Sequence, residues 1–143
     1  MNCGEPTEGR DAEMISIVDD DESVREATKG FVRSLGYDAE AFASAEDFLQ
    51  SERLDDTSCV ITDLQMPGLS GIELQTHLMS RGNHTPMIFV TASREEMARA
   101  QALNGGAIGF LPKPFNEERL IEYIRLALDV DSAELRSVAG ART

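Results

Sequence analysis

The sequence predicts an α/β fold in which five parallel strands form a doubly wound sheet covered by helices. Short aliphatic runs alternate with helix-patterned segments along the chain, which is typical of βαβ units. The 143 residues, 41% of them hydrophobic, are enough to bury one core without disulfides. We therefore expect one folded domain over residues 14–128. A flexible polar leader, residues 1–13, precedes it, and residues 129–143 form either a short tail or an extension of the last helix.

The five predicted strands are short runs rich in aliphatic and aromatic residues. In chain order they read MISIV, YDAEAF, CVIT, MIFVTA and AIGFL. Each run is followed by a longer segment with helical spacing, so a helix connects each strand to the next. Because such crossovers join parallel strands, the carboxyl ends of the strands should meet at one edge of the sheet.

Apolar periodicity and capping signals predict the helices. The first helix ends at Gly36, and the last is amphipathic with Asn116 as its N-cap. The apolar stripe of the first helix consists of Val24, Ala27, Phe31, Val32 and Leu35. The predicted caps between these two helices are Ser44 with Asp47, Ser70, Ser93 with Glu96, and the stop signal Asn104-Gly105.

Charge and cysteine content argue against several classes of protein. The net charge is −13, with 26 acidic and 13 basic residues, so nucleic acid phosphates would repel the chain and we expect no direct binding to them. The leader does not read as a signal peptide, and no segment approaches the length of a membrane span. Reduced thiols at Cys3 and Cys59 suit the cytoplasm, where we expect the protein to act without membrane contact.

Acidic and polar residues follow the predicted strands at their carboxyl ends. Four consecutive carboxylates, residues 19–22, come directly after the first strand, and Asp63 ends the third. Thr91 ends the fourth strand, and Lys113 follows the fifth by one residue. Because clustered carboxylates repel one another, a cation must hold them together, and Mg²⁺ couples carboxylates to phosphates. The sequence therefore predicts a magnesium and phosphoryl site, in which one carboxylate attacks phosphorus while Lys113 and Thr91 hold phosphoryl oxygens.

The acidic run has two other interpretations. It could be a solvated turn in which Asp21 or Ser23 caps the first helix, and this reading suits Asp21 and Glu22. It could also be an EF-hand calcium loop, but that motif needs glycine at its sixth position and glutamate at its twelfth. The sequence has Val24 and Gly30 there, so we reject the EF-hand.

Four motifs together resemble one known family. The stretches VDDD with SVR, DLQMPGLSGIEL, TAS and GAIGFLPKPF stand in the order and spacing of the receiver domain of two-component response regulators. Within the CheY-like superfamily the chain is most similar to the FixJ-like branch, over roughly Met14 to Leu128. The resemblance implies a flavodoxin-like, CheY-like sheet with strand order 2-1-3-4-5.

The resemblance also implies a function in phosphorelay signal transduction. A receiver domain accepts a phosphoryl group from a histidine kinase and changes conformation to control an output partner or transcription. It is a phosphoacceptor and no enzyme, apart from self-phosphorylation and slow autodephosphorylation. The resemblance makes Asp63 the phosphoacceptor, with Mg²⁺ bound by Asp63, directly by Asp20, through water by Asp19, and by the main-chain carbonyl of Gln65.

The remaining family positions concern the switch. Thr91 matches the hydroxyl that bonds the phosphoryl group, and Lys113 matches the family's lysine. Phe110 matches the aromatic residue that turns inward on activation. The resemblance further implies a cis peptide bond between Lys113 and Pro114, which proline makes accessible.

Two questions stay open at the level of the sequence. The alternative function is a small haloacid-dehalogenase-like phosphatase, whose motif needs a second aspartate two residues after the nucleophile, where this chain has Gln65. The chain is also expected to be either a stand-alone regulator or a receiver cut from a longer protein with a helix-turn-helix output domain. A phosphorylation-dependent homodimer through the fourth helix, fifth strand and fifth helix is a family expectation.

Overall fold

The computed structural model describes residues 13–92 and 96–137, and these form one sheet with helices on both faces. The strands are β1 (Met14–Val18), β2 (Asp38–Phe42), β3 (Thr57–Thr62), β4 (Met87–Thr91) and β5 (Gly109–Pro112). The helices are α1 (Glu22–Ser34), α2 (Ala45–Leu49), α3 (Gly71–Ser80), α4 (Glu96–Asn104) and α5 (Glu117–Ser137). The predicted leader up to residue 12 and the last six residues lie outside this description.

The sheet confirms the predicted fold class. All strand pairs are parallel, and the order across the sheet is β2-β1-β3-β4-β5. The strands differ from the predicted runs by at most two residues at their ends. Residues 107 and 108, for example, precede β5, although they were predicted to belong to it.

Alternate residues of the central strands face two separate hydrophobic clusters. Ile15 and Ile17 of β1 pack on one face with residues of α1 and α5, whereas Val18 packs on the other with residues of α2, α3 and α4. Burial on both faces explains why the central strands read as continuous apolar runs in the sequence. Among the described residues, no helix is long and apolar enough to span a bilayer.

Side-chain caps fix the helix starts largely as predicted. Asp21, rather than Ser23, caps α1 by accepting a hydrogen bond from the Val24 amide at 3.1 Å. Ser44, Ser70 and Asn116 accept bonds from the amides three residues on. Ser93 lies outside the described residues, and α4 begins at Glu96.

The stripe predicted for α1 is wrong at one position. Ala27 is exposed, whereas Thr28 beside it is buried. The Thr28 hydroxyl can be buried because it donates to the Val24 carbonyl at 2.7 Å, one turn earlier in the helix. α1 ends at Ser34, and Gly36 follows with φ 99, a left-handed conformation that favours glycine. Beyond Leu128, the described part of the chain continues α5 to Ser137.

Candidate functional site

Strand register brings the acidic residues together at the carboxyl edge of the sheet. Val18 of β1 pairs with Thr62 of β3, so Asp19 and Asp63 each follow a neighbouring strand at the same level. The Asp63 amide donates to the Val18 carbonyl at 3.0 Å, which extends the pairing by one residue. Carboxylate oxygens of Asp19, Asp20 and Asp63 all lie within 4.8 Å of one another. Three strand-end carboxylates therefore form one cluster.

Lys113 reaches into this cluster and contacts two of its members. Its ammonium nitrogen lies 2.9 Å from Asp19 Oδ2 and 2.9 Å from Asp63 Oδ2. Asp19 and Asp63 are only 4% and 7% exposed, and the Lys113 side chain is 17% exposed. Asp20 is exposed at the rim. The ammonium thus binds the two buried carboxylates, while the third carboxylate faces solvent.

Burial is the largest single influence on the pKa values of Asp19 and Lys113. Burial raises the pKa of Asp19, and the hydrogen bonds from the Asp21 amide and the Lys113 ammonium offset that effect only in part. For Lys113, burial is the largest effect and lowers the pKa, but the hydrogen bonds to Asp19 and Asp63 and the negative charges of these carboxylates together outweigh it. The pKa of Lys113 is therefore raised above its usual value. The single ammonium leaves Asp19 with too little compensation for its burial.

The donor set suits a hard divalent cation. The cluster offers carboxylate oxygens only, and among the described residues it contains no histidine or cysteine. Mg²⁺ and Ca²⁺ prefer oxygen ligands, and Mg²⁺ commonly uses few carboxylates and keeps several waters. The exposed side at Asp20 leaves room for such waters. The residues present therefore fit a magnesium ion.

Thr91 of β4, Phe110 of β5 and Lys113 directly after β5 belong to the strands next to the cluster. The Lys113 amide donates to the Thr91 carbonyl at 2.9 Å, so these two residues are neighbours at the ends of β5 and β4. Thr91 is buried. Phe110 of β5 is half-buried and stacks on Phe89 of β4, with ring centroids 6.1 Å apart. The predicted site residues thus occupy neighbouring strand ends, and Phe110 lies further back along β5.

The loop after β3 begins at Asp63 and forms a hydrogen bond back to its side chain. The Gln65 amide donates to Asp63 Oδ1 at 3.3 Å, a long hydrogen bond.

The Lys113-Pro114 peptide is cis, which confirms the prediction. Gly71, the first residue of α3, lies so close to β3 that an added Cβ would stand 2.4 Å from the Asp63 carbonyl oxygen.

The sequence did not reveal two supporting side chains. Arg25 of α1 donates to the Asp19 carbonyl at 2.9 Å, and so fixes the backbone of the acidic run. It stands in the quoted SVR motif, which was the available signal, but no role was assigned to it. Glu46 of α2 accepts a hydrogen bond from the Leu69 amide at 3.1 Å. No signal in the sequence indicates that contact, because the two residues belong to separate elements.

Comparison with known proteins settles the family. The family model of the response regulator receiver domain matches residues 15–125. This chain belongs to the response regulator receiver domain family. The assignment decides against the dehalogenase-like phosphatase as its class.

The relatives of this receiver domain include named response regulators. Nodulation protein W of Bradyrhizobium diazoefficiens is 38% identical over 90% of the chain, which covers 56% of that protein. Response regulator protein TodT of Pseudomonas putida is 39% identical over 82% of the chain, covering 52% of its own length. Transcriptional regulatory protein FixJ of Azorhizobium caulinodans is 35% identical over 80% of the chain and 54% of that protein. The chain spans about half the length of these curated relatives.

Solved structures agree with this assignment. The response regulator StyR is similar with a TM-score of 0.81 and 37% identity, over 88% of this chain and 64% of that one. The FixJ-N crystal structure is similar with a TM-score of 0.74 and 32% identity, over 82% of this chain and 94% of that one. These similarities support both the receiver fold and the FixJ-like branch predicted from the motifs.

Proposed function

We propose that this receiver domain accepts a phosphoryl group on Asp63 from a phosphohistidine of a histidine kinase. The observation that carries the proposal is the contact of one ammonium, Lys113, with both Asp63 and Asp19 inside a cluster of carboxylates. In such a group one carboxylate can attack phosphorus while its neighbours hold a metal ion. The chain then serves as a signal carrier and turns over no other substrate.

In the proposed transfer the Asp63 carboxylate attacks phosphorus, and the bond between phosphorus and the imidazole nitrogen breaks. The electron pair of that bond stays on the leaving imidazole, and an acyl phosphate forms on Asp63. When bound, Mg²⁺ supplies charge stabilisation for the phosphoryl oxygens. The carboxylates of Asp19, Asp20 and Asp63 and the main-chain carbonyl of Gln65 would hold it. Lys113 stays charged near neutral pH because burial does not bring its pKa below the usual value, so it can pair with a phosphoryl oxygen.

Thr91 and Phe110 are proposed to convert the modification into a change of shape. A phosphoryl oxygen that accepts a hydrogen bond from the Thr91 hydroxyl would favour the conformer with that side chain drawn toward Asp63. Phe110 would then move inward along the face that it shares with Phe89. Thr91→Ala should keep the modification but lose the chemical-shift changes that phosphorylation causes in β5 and α4.

The phosphoryl signal is proposed to reach an output partner or a DNA-binding output domain, in the cytoplasm where the kinase would act. The printed names of TodT, a response regulator, and FixJ, a transcriptional regulatory protein, support this reading. We also propose that the face formed by α4, β5 and α5 mediates phosphorylation-dependent dimerisation. Two of the elements carry an exposed apolar side chain: Met97 of α4 is 79% exposed and Leu126 of α5 is 49% exposed. Light scattering before and after phosphorylation would measure the dimer.

The first experiment is intact-protein mass spectrometry after incubation with Mg²⁺ and a small acyl phosphate donor. One labile phosphoryl group is expected on the native protein, none on Asp63→Asn, and none in the presence of a chelator. Asp55→Asn, which removes an exposed aspartate from a turn, is the matched control and should keep the adduct. An adduct that survives in Asp63→Asn would overturn the assignment of the nucleophile.

A further inference from the structure

Beyond Asp63, the β3–α3 loop, residues 63–70, receives a hydrogen-bonding carboxylate from another element. Glu46 lies in the first turn of α2, and its Oε2 accepts a hydrogen bond from the Leu69 amide at 3.1 Å. The two residues are 23 positions apart in the chain. The loop also carries Gln65, whose main-chain carbonyl is a proposed ligand of Mg²⁺.

Gly68 shows how closely the loop approaches this carboxylate. A Cβ added to Gly68 would stand 2.5 Å from Glu46 Oε2 and 3.2 Å from both Glu46 Cδ and Oε1. Its φ of +80 also favours glycine. Two consecutive loop residues, Gly68 and Leu69, therefore lie against the whole carboxylate, and the contact fixes position as well as providing a hydrogen bond.

Asp63, where the loop begins, is tied to Val18 and Lys113, but the other hydrogen bonds of the loop stay near its own ends. The Gly71 amide donates to the Leu64 carbonyl at 2.8 Å, and the Gln65 amide donates to Asp63. Ser70 and Glu73 form a reciprocal capping box at the start of α3. These contacts stay within the segment from β3 to α3. The bond to Glu46 instead ties the loop to a different element.

The element that carries Glu46 is itself anchored in the core. Ala45 and Phe48 of α2 are buried, and they belong to the same hydrophobic cluster as Val18 of β1. Val18 directly precedes Asp19. Leu64 and Met66 of the loop are buried in this cluster as well. The Glu46 contact therefore adds a hydrogen bond from α2 to the outer part of a loop whose apolar residues already pack on the core.

We infer that Glu46 is a positioning residue that fixes the β3–α3 loop, and with it the Gln65 carbonyl, for Mg²⁺ binding. Mg²⁺ demands near-ideal octahedral geometry, so a displaced ligand lowers its affinity. Glu46 acts through the loop, since among the described residues it is no member of the carboxylate cluster. The inference rests on the proposed function, because it needs Mg²⁺ at that cluster.

The test compares three variants of the full chain. Glu46→Ala removes the acceptor, and Glu46→Gln keeps an acceptor oxygen but removes the charge. Asp47→Ala removes an exposed carboxylate from the same turn and is the matched control. Mg²⁺ affinity is measured by calorimetry, and hydrogen exchange of the Leu69 amide reports the hydrogen bond. Urea unfolding without Mg²⁺ measures any general loss of stability.

Glu46→Ala should raise the Kd for Mg²⁺ about threefold to tenfold, as for loss of one hydrogen bond that positions a ligand of the metal. It should also speed exchange of the Leu69 amide. Glu46→Gln and Asp47→Ala should bind Mg²⁺ as the native protein does. Unchanged affinity in Glu46→Ala would overturn the inference, and so would equal weakening in all three variants, which would show an effect of charge. Failure of the native protein to bind Mg²⁺ would instead overturn the proposed function, and the inference with it.

Discussion

Two glycine-to-alanine substitutions should change stability in opposite directions. At Gly71 the added Cβ would lie 2.4 Å from the Asp63 carbonyl oxygen and 2.9 Å from Phe89 Cε2. Both distances are shorter than real Cβ contacts, and the first partner is backbone, so α3 must shift away from β3. Forced overpacking of this kind costs about 1–3 kcal/mol of unfolding free energy. At Gly30, inside α1, an added Cβ meets nothing within 4 Å. There alanine should stabilise the protein by about 0.5–1 kcal/mol.

Urea unfolding followed by far-ultraviolet circular dichroism measures both variants, since the chain has no tryptophan to report by fluorescence. Because the shift of α3 also pulls on the loop that joins it to Asp63, Gly71→Ala should form the acyl phosphate more slowly than the native protein, whereas Gly30→Ala should match it. A Gly71→Ala variant as stable as the native protein would refute the close approach of α3 to β3. A destabilised Gly30→Ala variant would refute the open space around that helix position.

Three further predictions concern the metal, a helix cap and the lysine. Mg²⁺ at ten times its Kd should raise the free energy of unfolding by about 1.4 kcal/mol, and the gain should shrink in Asp19→Asn; an unchanged urea midpoint would argue against metal binding. Ser70→Ala should cost about 1 kcal/mol in the same assay, because it leaves the Glu73 amide without its cap, and Ser70→Asp should recover most of the loss. Since the folded pKa of Lys113 is raised, its stabilising effect should be complete below the ordinary value of 10.5 and fade as the pH rises through the raised pKa. The difference in free energy of unfolding between the native protein and Lys113→Met should therefore narrow in strongly alkaline solution. A difference that stays constant with pH would contradict the raised pKa of Lys113.

The positions of the acidic residues could be predicted because strand ends set them. Once β1 and β3 are neighbours and parallel, Asp19 and Asp63 must stand side by side at one edge, whatever the side chains around them do. The apolar stripe of α1 was less certain, since a threonine can bury its hydroxyl by bonding within the helix. Thr28 does so, and Ala27 stays outside.

Contacts between distant surface segments could not be predicted in the same way. The hydrogen bond from the Leu69 amide to Glu46 depends on how α2 packs against the β3–α3 loop. The sequence of neither segment indicates that the two are in contact. A glutamate in the first turn of a helix is favoured by the helix dipole. The presence of Glu46 is therefore explained locally and does not indicate a distant contact. The close approach of Gly71 to Asp63 could not be predicted either. A glycine after a capping serine can lie in an open loop or at a tight contact, and the sequence does not distinguish the two.

The count of charges around Asp63 has a consequence for ion selection. Three carboxylates and one ammonium leave the group with two negative charges, and a single divalent ion balances them. A monovalent ion such as K⁺ would leave one negative charge uncompensated beside the two buried carboxylates, Asp19 and Asp63. The site should therefore distinguish Mg²⁺ from the far more abundant K⁺ of a cell by electroneutrality before geometry contributes. If Lys113 were absent, that balance would be lost, and one divalent ion would no longer neutralise the group.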